Sequence, residues 1–331
     1  MSCGCGTASR LSIRSFNFSR FDPRGLGPGE CPLSARIFVV INPASGKGRG
    51  ASLRDPVLEG LGPSAEVEHA LSTAPGDEAV LARKALAAGF RTLVAVGGDG
   101  TWSNVGAAIV DSGVPAALGL VAGGTGCDLA KTLGVPARDV RAATRVILDG
   151  HTRIIDVGRI EGKVFLNVAG FGFDIAVIED AKQVRWLGGD LLYLYSALRQ
   201  LRRFPGFAVE VSANGSPNAR REHLMLVVAN ARVFGGGFQI APDADLEDGQ
   251  LDAVGFLNMG LARRLSMMGR LLRGTHRGAP EVVAATAPSF RLRFDAPPAY
   301  ETDGEWNQAA SADIVVESVP RALRVLTPAP R

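Results

Sequence analysis

From residue 36 onward, short continuous apolar runs alternate with segments whose apolar residues recur every three or four positions. Arg36-Ile37-Phe38-Val39-Val40-Ile41, stopped by Asn42-Pro43, has no polar face, as expected of a strand buried inside a parallel sheet. Residues 67–71, 92–96 and 117–121 predict three further strands. Helical spacing starts at Gly50, fills 77–88 and 104–110, and resumes at 128–133. This alternation predicts an α/β class with a doubly wound, Rossmann-like domain, whose ligands lie at the carboxyl ends of the strands.

Beyond residue 150 the pattern becomes β-rich, with strands expected at 154–160, 164–168, 208–213, 224–229, 251–257 and 290–294. Two helical stretches, 190–203 and 260–273, interrupt them. A second domain built around a β-sandwich is the expectation, with strands at 314–316 and 323–326 returning to the first. The organisation is then a disordered tail at 1–35, an α/β domain at 36–150 with a returning segment at 310–331, and a β-rich domain at 151–309.

Composition narrows the class. Of the 331 residues 46% are hydrophobic and 21% charged, as in a soluble globular chain. A formal charge of +3 without a long basic run argues against nucleic acid as a partner. No stretch approaches the roughly 20 apolar residues of a membrane-spanning helix, so a lipid ligand would be met at the membrane surface. Cys3, Cys5, Cys31 and Cys127 form neither a zinc pattern nor a disulfide framework, and a reducing, cytoplasmic compartment is expected.

Three predicted strand ends carry the candidate chemistry. Asn42-Pro43-Ala44-Ser45-Gly46-Lys47-Gly48 exposes backbone N–H groups among small residues, although it lacks Walker A spacing. Gly97-Gly98-Asp99-Gly100-Thr101 permits a tight turn before a helix, with one carboxylate that must meet a metal ion, a hydroxyl or a base edge instead of bare phosphate. Gly123-Gly124-Thr125-Gly126-Cys127-Asp128 is the third. Each alone is readable as an ordinary turn; three on one sheet edge indicate a nucleotide pocket.

These loops resemble the diacylglycerol-kinase catalytic family, whose NPxSG and GGDGT signatures stand intact. The likeness continues through 167–172, the Asn230 to Gly237 segment, the Pro242 to Gly249 loop and Thr302-Asp303-Gly304-Glu305, all in family order. It implies an ATP-binding first domain and a lipid-binding second domain. Asn42, Pro43, Ala44, Ser45, Gly46, Thr73, Gly98, Asp99, Gly100, Thr101, Trp102, Ser103, Asn104 and Thr125 would line the ATP site, with Ser72 an alternative to Thr73. Asp245, Asp248 and the carbonyl of Gln250 would hold a structural Mg²⁺, linked through water to Asp128. Glu305 would be the general base, with Asp99 and Asp128 completing the catalytic set. Without that likeness the Asp245–Asp248 segment reads as a solvated acidic turn, and Asp303-Gly304 as a hairpin turn with Glu305 facing solvent.

Two departures stand out: the family usually has Asn where Cys127 stands and Asn-Glu where Ser103-Asn104 stand. The expected activity is phosphorylation of a diacylglycerol-like or sphingoid lipid, by a protein bound peripherally to membrane, with homodimerisation left open. A soluble-substrate kinase of the NAD kinase type, and a nucleotide- or lipid-binding protein without turnover, are the alternatives. Basic, apolar stretches around Trp186, Tyr195, Leu198, Arg199 and Arg202, and around Arg263, Arg264, Met267, Arg270 and Arg273, fit either a membrane face or a core helix.

Overall fold

The structure, a computed structural model, describes residues 36–62, 64–184, 190–214, 216–217 and 220–330, with the backbone of 14–15. Apart from that pair, the expected tail lies outside the described residues, as do Cys3, Cys5, Cys31 and Trp186. Two compact units form: Met1–Thr125, Gly134–Arg153 and Arg324–Arg331 make the first, Gly126–Leu133 and Ile154–Leu323 the second.

In chain order the first half runs β1 (Arg14–Ser15), β2 (Arg36–Ile41), α1 (Ser45–Leu61), β3 (Glu66–Leu71), α2 (Asp77–Ala87), β4 (Thr92–Gly97), α3 (Asp99–Ser112), β5 (Ala117–Ala122), α4 (Asp128–Leu133) and α5 (Val140–Asp149). In the first unit the strands lie parallel in the order β1, β3, β2, β4, β5, and Arg324 and Val325 pair in parallel with Ala117 and Leu118. Successive side chains of β2 point to opposite faces. Ile37, Val39 and Ile41 join Leu53, Val57, Ala143 and Ile147 of α1 and α5 in one core cluster. Phe38 meets Phe90 at 5.2 Å between ring centroids. Because β2 has β3 on one side and β4 on the other, the strand order reverses between β2 and β4, where doubly wound sheets open a ligand crevice.

The second unit contains α4 and continues through β6 (Thr152–Ile160), β7 (Lys163–Phe165), β8 (Val168–Gly172), α6 (Phe173–Gln183), α7 (Asp190–Arg203), β9 (Phe207–Ala213), β10 (Ser216–Pro217), β11 (Arg221–Ala229), β12 (Leu251–Leu257), α8 (Leu261–Arg273), β13 (Val282–Ala287), β14 (Ser289–Arg293), β15 (Ala299–Thr302), β16 (Glu305–Gln308) and β17 (Asp313–Leu326). One antiparallel layer runs β16, β15, β8, β11, β12, β13, and the other β17, β14, β9, β10. Phe171, Leu226, Val228, Phe290, Leu292 and Val316 share the cluster between them. The outer face of the first layer packs Val168, Val227 and Val254 against Met267 and Leu271 of α8. That face explains α8: Arg264, Met267 and Leu271 are buried at helical spacing, while Leu261, Leu265 and Leu272 stay exposed.

Two expectations are corrected. Residues 314–316 do not return to the first unit but pair with β14 in the second, so only the end of β17 returns. One expected strand is also broken. Residues 164–168 do not run through; β7 ends at Phe165 and β8 begins at Val168. The N–H groups of Leu166, Asn167 and Val168 all donate to the Asp303 carboxylate, which takes Leu166 and Asn167 out of the strands before β8 pairs with β11 from Val168 onward.

Candidate active site

The loop after β2 is organised by Asn42. Its Oδ1 accepts from the N–H groups of Ala44 (3.0 Å) and Ser45 (3.1 Å), and its Nδ2 donates to Thr101 Oγ1 at 3.0 Å, tying this loop to the one after β4. Gly46, Lys47 and Gly48 all take positive φ, so regular helical geometry starts only after them. Gly46 is fixed by space as well, since a Cβ there would lie 2.0 Å from the Gly123 carbonyl oxygen. The N–H groups of Gly123 and Gly124 donate to Gly97 O at 2.7 and 3.1 Å, and a Cβ on Gly98 would meet Gly124 Cα at 3.3 Å. Three strand-end loops therefore touch through bare backbone. Gly98 caps α3, whose first turn offers N–H groups and the positive end of the helix dipole to an anion.

The remaining nucleotide candidates divide by exposure. Thr125 is exposed, and Pro43, Ala44, Ser45, Gly100 and Asn104 are at least partly so. Trp102 is fully buried and spends its indole N–H on Ala95 O, so only its main chain is at the loop. Ser103 is buried too. Thr73 is exposed, but its N–H and hydroxyl both donate to Asp77 Oδ2, while the Ser72 hydroxyl donates to buried Glu78. The cradle suits a polyphosphate: the glycines let the three loops close on one another, and the first turn of α3, with Asp99 its one acid, turns its N–H groups toward an anion.

In the second unit Asp128 is 5% exposed and both its oxygens are engaged. Oδ2 accepts from Gly236 N–H (2.8 Å) and Oδ1 from Lys131 Nζ (2.9 Å), which also donates to Gly236 O (2.7 Å). Asp128 thus clamps the glycine segment at 235–237. Cys127 beside it is buried with φ +54, a left-handed conformation that Asn tolerates better than Cys.

The acidic loop is held from beneath by a residue that sequence reasoning missed. Asp156, fully buried in β6, accepts from Gly249 N–H at 2.6 Å and from Arg321 N–H at 2.7 Å. An acid inside the apolar run Ile154-Ile155-Asp156-Val157 was the available signal. Asp245 and Asp248 are exposed, each turning its Oδ1 to the N–H two residues on, Glu247 and Gln250. Two carboxylates and a main-chain carbonyl are hard oxygen donors of the kind Mg²⁺ takes. Among the described residues no three His, Cys, Asp or Glu side chains gather as a metal site.

Asp303 and Gly304, both with positive φ, form the two-residue turn between β15 and β16, and Glu305 follows on the exposed side. The Asp303 carboxylate accepts from Asn167 N–H (2.8 Å), Val168 N–H (3.0 Å) and Leu166 N–H (2.7 Å), which anchors the turn to the start of β8. In the same unit a cavity of about 430 Å³ is walled by Phe171, Ile175, Phe204, Phe207, Phe294 and Pro298.

Known proteins resemble this chain along most of its length. The model of the diacylglycerol kinase catalytic domain matches residues 36–160, and that of the YegS C-terminal NAD kinase beta sandwich-like domain matches 167–327. A diacylglycerol kinase of Mycobacterium tuberculosis is 29% identical over 299 residues, 88% of this chain and 95% of its own. A protein described as a YegS-like lipid kinase, from Pseudomonas aeruginosa, is 35% identical over 260 residues, 77% of this chain and 82% of its own. The crystal structure of a diacylglycerol kinase from Bacillus anthracis str. Sterne has the same fold, with a TM-score of 0.69 at 20% identity over 89% of this chain and 97% of that one. The chain belongs to the diacylglycerol kinase family, and it is a kinase that transfers phosphate to an alcohol acceptor.

Proposed function

We propose that this kinase uses ATP and Mg²⁺ to phosphorylate a hydroxyl of a diacylglycerol-like or sphingoid lipid at a membrane surface. The observation that carries the lipid acceptor is the cavity of about 430 Å³, lined mostly by phenylalanine, isoleucine, alanine and proline, with Glu179 and Asp295 among them. Burial there favours an acyl chain by about 0.8 kcal/mol per CH₂, whereas the phosphates of a soluble dinucleotide would meet the acids Glu179 and Asp295 with no basic residue in the lining. Leu261, Leu265 and Leu272, exposed on α8 with Arg263, Arg270 and Arg273, support contact with a membrane surface. No described helix is long and apolar enough to cross a membrane.

In this reading Asn42 to Gly46, Gly98 to Asn104 and Thr125 hold the nucleotide, largely through main-chain groups, with Thr73 or Ser72 at its margin. ATP supplies the phosphoryl group, and Asp245, Asp248 and the Gln250 carbonyl would hold a structural Mg²⁺. Glu305 accepts the proton of the lipid hydroxyl as that oxygen bonds to phosphorus and the bond to the departing diphosphate breaks. Asp128 acts by holding the Gly236 segment, and Asp99 supplies a carboxylate at the α3 N-terminus.

The test is incubation with γ-labelled ATP, Mg²⁺ and separate acceptors: diacylglycerol, sphingosine and NAD. Label in a lipid product is expected. Label in NAD alone, or ATP binding with no labelled product, would overturn the lipid reading. Glu305→Gln should lower kcat by about 10²–10⁴-fold and leave the melting temperature unchanged, because the side chain is exposed.

A further inference from the structure

Two carboxyl groups converge above Gly170. Glu301 of β15 pairs with Gly170 across the sheet, and Asp174 lies in the first turn of α6. A Cβ at Gly170 would sit 2.0 Å from Asp174 Oδ2 and 2.8 Å from Glu301 Oε1. Both oxygens are shut off from solvent with no hydrogen-bond partner in the protein, and Glu301 is 1% exposed. Their other oxygens are taken: Asp174 Oδ1 accepts from Ile175 N–H at 2.9 Å, and Glu301 Oε2 from Gly304 N–H at 2.5 Å. Gly304 immediately precedes Glu305.

The surrounding charges do not relieve the pair. Asp174 and Asp303, both acidic, act on Glu301, along with the Gly304 N–H. Lys182 of α6 lies over the Trp306 ring, Arg199 of α7 pairs with Asp180, and Lys163 of β7 donates to Asn307. On β11, Val227 is the residue beside Gly170, with Arg221, Glu222 and His223 four or more positions along the strand. Two ionised carboxylates so placed repel one another, with two buried acceptors lacking any donor. One proton supplies the missing donor and removes the repulsion. Burial accordingly pushes Asp174 up to about 7, and burial followed by the neighbouring Asp174 raises Glu301 well above the usual carboxylate range.

We propose that Asp174 and Glu301 hold a proton between Oδ2 and Oε1, and that the proton-bridged pair fixes the Gly304 turn that presents Glu305. Both are positioning residues, and the functional half rests on Glu305 being the base. Glu301→Gln isolates the role: its amide N–H₂ donates to Asp174 at any pH, and its Oε1 still accepts from Gly304. Between pH 7 and 8.5 wild-type kcat for lipid phosphorylation should fall about tenfold, and that of Glu301→Gln less than about twofold.

Stability gives a readout independent of turnover. The folded pair keeps a proton that the unfolded chain releases above about pH 4, so its contribution is full below that pH. It is lost as pH rises through about 7 for Asp174. From pH 5 to pH 8 the urea midpoint of wild type should drop further than that of Glu301→Gln. Equal drops overturn the proton bridge. Unequal drops with parallel kcat profiles overturn the positioning role. Asp174→Asn, which donates from the other side, replaces Glu301→Gln if that variant fails to fold. Lipid phosphorylation that survives Glu305→Gln overturns the base reading instead, and the urea comparison still decides the bridge.

Discussion

At the residue scale the decisive groups are carboxylates whose roles differ by their surroundings. Within Asp303-Gly304-Glu305, Asp303 is buried and accepts three backbone N–H groups, while Glu305 is exposed two positions later. Asp303→Asn should therefore act on stability. Asn tolerates the φ of +49 but brings one acceptor oxygen without charge, so the charge-assisted bonds weaken or vanish. The expected loss is about 3 kcal/mol, read as a shift in urea midpoint; a shift under about 1 kcal/mol would mean that water replaces the carboxylate at 166–168. The Asp-Gly hairpin turn was legible from the dipeptide alone. That Asp303 also binds a segment 135 or more positions away was not, because no local pattern encodes a tertiary acceptor.

At the element scale, the buried parallel strands were legible because a run such as Phe38-Val39-Val40-Ile41 has few alternatives, and β2, β4 and β5 fall where it predicts. Helix α5 carried an equally plain signal, an Asp139 side chain accepting from Ala142 N–H and a Gly150 stop, yet lies outside the expected elements. α6 was hidden: Phe173-Asp-Ile-Ala-Val-Ile mixes β-branched residues into a helix held by tertiary packing. The opening of α1 yields a paired prediction. Gly46→Ala meets both a φ of +56 and the Gly123 carbonyl at 2.0 Å, so the phosphate loops must separate. Gly48→Ala, at φ +92 with nothing within 4 Å, meets backbone strain alone. Calorimetric titration with ATP should show at least about tenfold weaker binding for Gly46→Ala, equivalent to 1.4 kcal/mol. Gly48→Ala should lose stability of about 1–2 kcal/mol with a smaller change in affinity. Equal affinities in the two variants would remove Gly46 from the site.

At the scale of the whole molecule, the chain leaves the first unit after Thr125, returns at Gly134, leaves again after Arg153 and returns at Arg324. Arg324 and Val325 thus complete a sheet begun almost three hundred positions earlier, and an apolar run returning after a β-rich stretch was its only trace in the sequence. Arg324 and Val325 pair with β5, Leu326 joins the core of α1 and α5, and Thr327 N–H donates to His151 O. Val325 and Leu326 are 0% and 2% exposed. Burying two such side chains contributes about 4 kcal/mol, a large part of a typical stability of about 5–15 kcal/mol. A chain ending at Leu323 would also leave the outer edge of β5 without this partner. Hydrogen exchange should then show β4 and β5 losing protection by at least about 100-fold, the equivalent of 2.7 kcal/mol. β11 and β12, whose pairing lies wholly within the second unit, should retain most of theirs. Undiminished protection in β4 and β5 would show that the first unit is complete without its returning strand.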